Sequence, residues 1–482
     1  TTTGADGTYS VEAEPGAVLL FSYIGYTERE EPVGSRSMID VTMQEDQSVL
    51  EEVVVVGYGT QTRKTVTSAI SKMDGKTLES MPVNLVGDGM KGRIAGLQVA
   101  TTDATPGSAP KFLIRGGSSI NNSNDPIVLV DGAVREMAGL NPNDIESIEV
   151  LKDAASAGIY GSRASNGVIL ITTKKGKEGR VRVNYSNSTT FSHPFVMPKF
   201  QNTYGTSEIE PMMSWGSKLA TPTSYDPADF FQTGFNETNS VGLSAGTERN
   251  QTYASASAVN SRGIIPNNGY DRYNFTFRNT SSFLKDKMHL DLGASYIIQK
   301  DRNMVNQGVY SNPLVSAYLF PRGDDWADVE MYERYNPSRG IYEQYWPTMG
   351  ADTYQMQNPY WISYRNLREN RKDRYMINAS LTYDILDWLS VSGRILVDNS
   401  NSDYTEKLYA STNNLRTEGS PNGLYGITKT NDRQTYGDVM VNINKTFGEN
   451  WSLQANVGAS ISDMRSDASK VRGPIAYGEQ TG

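Results

Sequence analysis

The second half of this chain consists largely of segments in which apolar and polar side chains alternate. The segments 288–296 and 451–459 show this alternation most clearly. A period of two is that of a β-strand with one apolar face. Segments of roughly ten residues are also the length that a tilted strand needs to cross a bilayer. The pattern therefore predicts a β-sheet and favours one whose apolar face meets lipid.

The connections between the predicted strands alternate in length. The predicted strands are 181–192, 237–248, 250–262, 270–284, 287–301, 373–385, 387–399, 436–447 and 451–464. Tight connections such as 285–286 alternate with long ones such as 302–372. This alternation is typical of outer-membrane β-barrels. An odd number of strands leaves backbone groups unpaired in lipid, so we expect further residues to complete a barrel of about 22 strands. A soluble β-sandwich or jelly roll also alternates and is the alternative fold.

The first part of the chain divides into three segments with other sequence patterns. Residues 1–46 predict a small all-β piece, and residues 47–64 predict a linker with an apolar insert. Residues 65–180 mix short apolar strands, among them 127–130 and 168–173, with helix patterns. Residues 181–482 hold the long alternating strands. Val86, Met90 and Ile94 recur at the spacing of one helix face, with Asn84 as a possible cap, and a second short helix is expected at 153–160.

Residue types limit the chemistry that the chain can perform. It has no cysteine and only His193 and His289, so disulfides, thiolate metal sites and histidine-based triads have little or no material. The formal net charge of −9 argues against nucleic acid as a partner. Neither a phosphate loop nor a nucleophile elbow is complete. We therefore predict no enzyme, no catalytic residue, no cofactor and no metal site.

Several motifs carry a resemblance to a known family. Residues 114–116 read Ile-Arg-Gly and residues 127–132 read Ile-Val-Leu-Val-Asp-Gly. Residues 159–176 read Ile-Tyr-Gly-Ser-Arg-Ala-Ser-Asn-Gly-Val-Ile-Leu-Ile-Thr-Thr-Lys-Lys-Gly. Together with the valine-rich segment 52–61, these motifs resemble the plug region, and the segment before it, of SusC-like (SusC/RagA) TonB-dependent outer-membrane transporters. Residues 1–46 are similar to the end of the carboxypeptidase-regulatory-like β-sandwich that many of these proteins carry.

This resemblance implies a fold and a function. The fold is a partial membrane β-barrel with an α+β plug, and the plug and N-terminal domain face the periplasm of a Bacteroidetes-type bacterium. The implied function is TonB-dependent import of oligosaccharides, with oligopeptides as the alternative. The implied partners are a SusD-like surface lipoprotein and TonB with ExbB and ExbD, in a dimer of transporter–lipoprotein pairs. An adhesin, a passive porin or a signalling variant explains the pattern less completely.

The valine-rich segment 52–61 suggests how such a protein receives energy. Its central residues are Val53, Val54, Val55 and Val56, which strongly favour an extended backbone. An extended segment can add as a strand to the edge of a partner's sheet. We predict that these valines contact TonB, and the alternative is that they form an edge strand of the first domain or of the plug.

Four charged residues are candidates for holding the plug in the barrel. They are Arg115, Glu146, Glu149 and Asp153. Ion pairs between them and their surroundings would act as a latch, since breaking a buried pair costs roughly 3–5 kcal/mol. Ordinary stability of the plug is the alternative role.

Two loops are candidates for binding the substrate. Residues 117–126 are rich in amides and hydroxyls, which suit sugar hydroxyls or a peptide backbone. The candidates there are Ser118, Ser119, Asn121, Asn122 and Asn124. The long segment 302–372 adds Trp326, Tyr345 and Trp346, whose rings can stack on the apolar face of a sugar. The alternative is that these rings pack the loop itself or contact the lipoprotein.

Overall fold

The computed structural model describes most of the chain, in ranges separated by short gaps. The described residues are 8–14, 16–21, 29–43, 53–56, 59–62, 70–101, 106–117, 119, 121, 123–152, 160, 164–206, 214–306, 308–320, 323–346, 355–447 and 451–476. Strands account for most of the regular structure. Among these residues, no helix combines the length and the apolar character that crossing a membrane would need.

Two small antiparallel pairs precede the plug. Strand β1 (Val18–Phe21) pairs with β2 (Arg29–Pro32), and β3 (Val53–Val56) pairs with β4 (Gly59–Thr62). The second pair is in register from Val53 opposite Thr62 to Val56 opposite Gly59. The backbone of the four valines is therefore extended, and one of its two edges is already hydrogen-bonded to β4.

The plug, which we define as residues 70–176, is built around a five-stranded mixed sheet. Its elements are β5 (Ile70–Asp74), α1 (Gly75–Glu79), α2 (Val86–Gly89), β6 (Leu97–Ala100), β7 (Lys111–Ile114), β8 (Ile127–Val130), β9 (Ala133–Val134), β10 (Ile145–Leu151) and β11 (Val168–Thr173). The sheet order is β5-β10-β11-β8-β9, and β6 pairs separately with β7. Side chains of β10 and β11 are buried along almost their whole length, as their apolar runs require.

The helix predicted from Val86, Met90 and Ile94 is only four residues long. Gly87 and Gly89 lie inside it, and glycine lowers helix stability. A Cβ at Gly87 would collide with Phe112 and Pro110, so this glycine is needed for close packing. The three apolar side chains are nevertheless all buried in the plug core. The residue at the N-cap position is Leu85, so the prediction that Asn84 caps the helix was wrong. Most of the second predicted helix, 153–160, lies outside the described residues.

The remainder of the chain forms a nine-stranded antiparallel sheet, called here the barrel sheet, with elements in its long connections. These elements are β12 (Gly179–Ser192), β13 (Tyr204–Thr206), β14 (Ser214–Lys218), β15 (Gly234–Gly246), β16 (Asn250–Arg262), β17 (Gly269–Phe283), β18 (Met288–Arg302), α3 (Pro313–Tyr318), α4 (Trp326–Glu330), β19 (Glu333–Asn336), β20 (Ile341–Gln344), α5 (Pro359–Arg365), β21 (Asn366–Leu386), β22 (Leu389–Leu408), β23 (Leu424–Phe447) and β24 (Trp451–Pro474). The order of the barrel sheet is β12-β15-β16-β17-β18-β21-β22-β23-β24, so each strand pairs with its sequence neighbour in the sheet. Each predicted strand overlaps one strand of this sheet.

The last four strands are longer than the sequence pattern predicts. Strand β21 begins at Asn366 and β22 ends at Leu408, and the pairing between them is nearly uninterrupted. Strands β23 and β24 are 24 residues long each. Both faces of these extensions carry polar side chains, so the alternation disappears while the backbone pairing continues. Charged and amide residues at 399–407 and 425–433 thus belong to strands rather than loops.

The side of the barrel sheet turned away from the plug carries an apolar band. Exposed outward residues include Leu381, Ile395, Val439, Val457 and Ile461. The alternate side chains point toward the plug, and we call that side the lumen face. A band of about ten residues per strand corresponds to about 25 Å of hydrocarbon for tilted strands. The outward face therefore has the height and polarity that a lipid bilayer requires.

We predict that a charge within the apolar band destabilises the protein. Replacing Leu381 by Arg should cost about 2–4 kcal/mol of unfolding free energy in a bilayer, because the guanidinium then faces hydrocarbon. Asn401→Arg is the matched control, since Asn401 is an exposed outward residue in the polar extension of β22. Its cost should be within about 1 kcal/mol. Urea titration of the protein folded in liposomes measures both, and equal losses would contradict a lipid-facing band.

Candidate functional site

The plug lies against the lumen face, and the contact between them is mainly polar. One contact centres on Asp144, which ends a 3₁₀ turn just before β10. The Tyr253 hydroxyl of β16 donates to one oxygen of Asp144 at 2.9 Å, and the Thr276 hydroxyl of β17 donates to the other at 3.1 Å. The carboxyl is buried, and this burial raises the pKa of Asp144 despite the hydrogen bonds. A plug carboxyl is thus held by two hydroxyls of the barrel.

A second contact joins the turn after β8 to strand β17. Asp131 has a positive φ of 49° at this turn and accepts hydrogen bonds from the backbone N–H and hydroxyl of Thr173. Arg278 donates to Asp131 at 3.1 Å and makes a two-pronged contact with Asp291 at 2.9 and 2.8 Å. Lys175 lies 2.9 Å from the same Asp291 carboxylate. This buried network links the plug sheet to two barrel strands.

A third contact is made by two guanidinium groups that share one carboxylate. Arg374 of β21 donates to both oxygens of Asp398 at 2.9 and 2.6 Å. Its third nitrogen reaches the backbone oxygens of Glu136 and Ala138 in the plug at 3.4 and 3.3 Å. The Nε of Arg135 lies 3.7 Å from Asp398, and its Nε and Nη2 are buried without a hydrogen-bond partner. Burial lowers the pKa of Arg135, and the nearby Arg374 guanidinium lowers it further.

The contacts with β15 to β17 also include several between neutral groups. The amides of Asn84 and Asn236 pair in both directions at 2.7 and 2.9 Å. Asn274 donates to the Gly139 oxygen at 2.6 Å. A Cβ at Gly176 would collide with the backbone of Thr252, so the two chains approach as closely as glycine allows. At these points the plug and the barrel sheet are in direct contact, and a cavity of about 590 Å³ lies beside Asn84 and Asn236.

The residues predicted to form a latch occupy different places. Arg115 follows β7 with a positive φ of 57°, and its backbone N–H donates to the Gly96 oxygen at 3.0 Å. Glu146 is exposed and lies 3.4 Å from Lys177, and Glu149 is buried within β10. Asp153 lies outside the described residues. None of the contacts just given reaches a barrel strand, and the latch role of these four residues stays a prediction.

The groups that do join plug and barrel were missed by the sequence interpretation. Residues 127–132 were considered only as a motif of the plug region, and Asp144 was assigned no role. Both carboxylates flank buried strands of the plug sheet, Asp131 just after β8 and Asp144 just before β10. A charge next to a buried strand is a usable signal, because such strands end where the core meets its surroundings.

The polar loop 117–126 is partly closed by one side chain. The Asn124 amide accepts from the backbone N–H of Ser119 at 2.8 Å and donates to the oxygen of Ser119 at 2.7 Å. Asn121 is exposed, whereas Ser118 and Asn122 lie outside the described residues. Two of the candidate substrate groups, Ser119 and Asn124, are therefore engaged with each other.

The aromatic candidates of the long segment lie in or beside a small core made by the loops. Trp326 is only 7% exposed and stacks on Tyr225 with ring centroids 4.6 Å apart. Trp346 packs against the same cluster, and the Arg334 guanidinium covers the Tyr345 ring at 3.3 Å. In this arrangement Trp326 presents no open face to a ligand.

Two tyrosines that the sequence interpretation did not select are more accessible than those rings. Tyr335 on β19 and Tyr342 on β20 are 56% and 59% exposed. They are cross-strand partners, and their rings meet edge to face at 5.4 Å. The sequence signal for them is the run 336–340, Asn-Pro-Ser-Arg-Gly, which predicts a turn between two short strands.

A cavity of about 870 Å³ lies between the plug and strands β21 to β24. The plug contributes Asp125, Arg135 and Glu136 to its walls, and the barrel sheet contributes Lys372 and Asp398. The contributing residues lie at the half of the strands nearest the long connections. The cavity is large enough for a ligand of several sugar rings or amino-acid residues.

Comparisons with known proteins agree with this architecture. Residues 62–168 match the TonB-dependent Receptor Plug Domain family. The TonB-dependent receptor SusC of Bacteroides thetaiotaomicron is 33% identical over 326 residues, covering 63% of this chain and 32% of that protein. The TonB-dependent receptor P39 of Formosa agariphila is 38% identical over 289 residues, covering 56% of this chain and 27% of that protein. The chain thus spans about a third of the length of the curated relatives it matches.

A solved structure shares the fold across most of the chain. The RagAB peptide importer in its open-open state aligns with a TM-score of 0.68 at 21% identity, covering 88% of this chain and 50% of that chain. The similarity includes both plug and barrel strands. The predicted fold class, a partial membrane β-barrel with an α+β plug, is therefore confirmed.

We predict that Arg278 and Asp131 are energetically coupled. Replacing Arg278 by Ala should cost about 3–5 kcal/mol, because buried carboxylates lose their partner. The double variant with Asp131→Ala should lose less than the sum of the single variants, by about 0.5–3 kcal/mol. The exposed pair Arg465–Asp467 is the control and should contribute at most about 1 kcal/mol. Urea unfolding of all variants tests this, and strict additivity at Arg278 would contradict it.

We predict that Asp144 makes the protein more stable as the pH falls. Its pKa is raised in the folded state, so folding binds a proton more tightly there than the unfolded chain does. Stability is then complete below the unfolded pKa and is lost as the pH rises through the folded pKa. Asp144→Asn keeps the acceptor for Tyr253 and should remove this dependence. Unfolding free energies from pH 4 to 8 should diverge as pH rises, with the Asn variant more stable, and parallel curves would refute the assignment.

Proposed function

We propose that this chain, a SusC-like TonB-dependent receptor of the bacterial outer membrane with its plug facing the periplasm, imports oligosaccharides across that membrane. The observation that carries this proposal is the plug on the lumen face, held there by buried ion pairs such as Arg278–Asp131 at 3.1 Å. A lumen filled in this way does not let a polar oligomer pass unaided. Import therefore requires work that loosens the plug.

The energy would enter through strand β3. Among the described strands, Val53–Val56 pairs only with β4, so its second edge can accept a strand from a partner. The partner we propose is TonB, driven by ExbB and ExbD in the inner membrane. The β3–β4 pair joins the pulled strand to the plug, and a pull on β3 opens its hydrogen bonds one after another. The pair would thus extend before force reaches the plug.

The cargo would be captured at the end of the barrel sheet that carries the long connections. The exposed pair Tyr335 and Tyr342 offers aromatic faces there, which suit a sugar ring. The same face is available to a SusD-like lipoprotein, which we propose as a cap over the mouth. A dimer of transporter–lipoprotein pairs remains the expectation for the oligomeric state.

Oligopeptides are the second candidate cargo. The solved importer that shares the fold is described as a peptide importer. The charged walls of the cavity of about 870 Å³ would also suit peptide side chains or termini. Oligosaccharide import is favoured by the exposed tyrosine pair and by the resemblance of the plug motifs. Uptake of both kinds of labelled oligomer by the same cells decides between them.

We predict that a proline in β3 abolishes import without affecting capture. Val55→Pro removes a backbone N–H and disfavours the pairing of β3, so uptake of a labelled oligosaccharide should fall at least about tenfold. Binding of the same oligosaccharide to intact cells should be unchanged. Val55→Ile is the matched control and should transport normally, because it keeps the extended backbone.

The outcomes separate the parts of the proposal. Normal uptake by the proline variant would contradict coupling through β3. Loss of both binding and uptake would indicate misfolding, which outer-membrane abundance and protease resistance check independently. Uptake of a labelled oligopeptide in place of the oligosaccharide would keep the mechanism and replace the cargo.

A further inference from the structure

Three guanidinium groups meet at the lumen face near the long-connection end of the barrel sheet. Arg368 belongs to β21, Arg472 belongs to β24, and Arg416 lies in the connection between β22 and β23. Two of them hold Glu406 of β22, with Arg368 Nε 3.4 Å from one carboxylate oxygen and Arg472 Nε 2.9 Å from the other. Arg472 also pairs with Glu418. We call the three arginines the arginine cluster.

A glycine lets Arg472 reach Glu406 across an intervening strand. Strands β22 and β24 both pair with β23, so they lie roughly 10 Å apart. Gly426 of β23 is the register partner of Glu406 on one side and of Arg472 on the other. A Cβ at Gly426 would lie 3.1 Å from Cγ of Arg472, so the arginine side chain passes over this glycine. The local sequence thus brings the guanidinium of β24 to a carboxylate two strands away.

The arginine cluster carries more positive charge than its carboxylates neutralise. Glu406 and Glu418 are both paired with the other two guanidiniums, whereas Arg416 has no ion pair among the described residues. Its Nε is buried without a hydrogen-bond partner. Burial lowers the pKa of Arg416, and the neighbouring Arg368 guanidinium lowers it further. Since arginine stays protonated in proteins, this lowering indicates a positive charge that is poorly compensated.

A lysine on the same face adds to the positive charge. Lys470 lies two residues before Arg472 on β24, so its side chain points to the same side of the sheet. It is exposed and forms no ion pair or hydrogen bond with the described residues. Its register partner on β23 is Thr428, which is not acidic. This part of the wall is therefore positive, although the whole chain carries a formal net charge of −9.

The connection that carries Arg416 also supports the hairpin of the exposed tyrosines. Tyr335 and Tyr342 lie on β19 and β20, and Arg339 at the turn between these strands donates to the Pro421 oxygen at 3.1 Å. Pro421 belongs to the same connection as Arg416. Aromatic faces and guanidinium groups are thus held by one assembly of loops, and a single oligomer can contact both.

We propose that the arginine cluster binds carboxylate groups of the transported oligomer, and that the cargo is therefore an acidic oligosaccharide. This inference rests on the proposed import function and narrows its cargo. A guanidinium offers paired N–H donors that match the two oxygens of a carboxylate. The bound group supplies the anion that Arg416 lacks, while Glu406 keeps the other two arginines in place. A wall of one charge also raises the local concentration of oppositely charged solutes.

Binding to the purified protein in detergent tests the charge preference. The probes are short oligogalacturonates and the same oligomers after reduction of their carboxyl groups, which makes them neutral at the same length. We expect the acidic form to bind at least about tenfold more tightly, because hydrogen bonds between charged groups are the stronger ones. Its affinity should fall as salt is added. Equal binding of the two forms, or binding of neither, would overturn the acidic cargo.

Removing one charge from each face of the sheet locates the site. Arg416→Gln should weaken binding of the acidic oligomers at least about fivefold and leave binding of the reduced ones unchanged. Arg371→Gln is the matched control, since Arg371 is exposed on the outward face of β21, and it should bind normally. Lys470→Gln removes an exposed charge without a partner and should weaken acidic binding at least about twofold. Equal affinities in all variants with unchanged urea midpoints would overturn the site.

Failure of the proposed function gives a different result from failure of this inference. If cells import neither form of the oligomer, the import function fails while binding to the purified protein still reports on the arginine cluster. If cells import only the reduced form, the function stands and the acidic cargo is wrong. Tighter binding of oligoglutamate than of the oligogalacturonates, lost in Arg416→Gln, would overturn the choice of a sugar and keep the carboxylate site.

Discussion

The pairing of backbone groups between neighbouring strands is the constraint on which the rest of the structure depends. In hydrocarbon an unpaired N–H or C=O costs several kcal/mol, so the strands must form a continuous ladder. The period of two then places every second side chain on the lumen face. Because the outward positions are apolar, the polar residues that the sequence contains accumulate inside. Arg278, Arg374 and Asp398 are there for this reason, and the plug must meet them with charges of its own.

Periodicity is the reason that the strands could be predicted and also the reason that their ends could not. The alternation identifies segments such as 288–296 because one face meets an apolar medium. Beyond the apolar band both faces of β21 to β24 are polar, so pairing continues without a sequence signal. The plug strands Ile127–Val130 and Val168–Thr173 were predicted with correct bounds, since both are buried on two sides.

Residues that join two domains were the hardest to predict. Asp131 and Asp144 acquire their partners from strands that lie more than a hundred positions later in the chain. Local sequence contains no record of such pairing, so neither residue was assigned a partner. Trp326 illustrates the converse, because an aromatic residue in a long loop has the same local signal whether it binds a ligand or forms a core. Only its stacking on Tyr225 distinguishes the two.

The length of the last strands has a consequence for where a solute first meets the protein. Strand β24 has 24 residues, and at about 3.3 Å per residue with a tilt near 40° it rises roughly 60 Å. The hydrocarbon layer accounts for only about 25 Å of this height. More than half of the height of β24 therefore lies outside the hydrocarbon layer. A solute at the outer end of β24 is beyond the Debye length of the headgroups, about 8 Å in physiological salt, and responds to the charges of the protein alone.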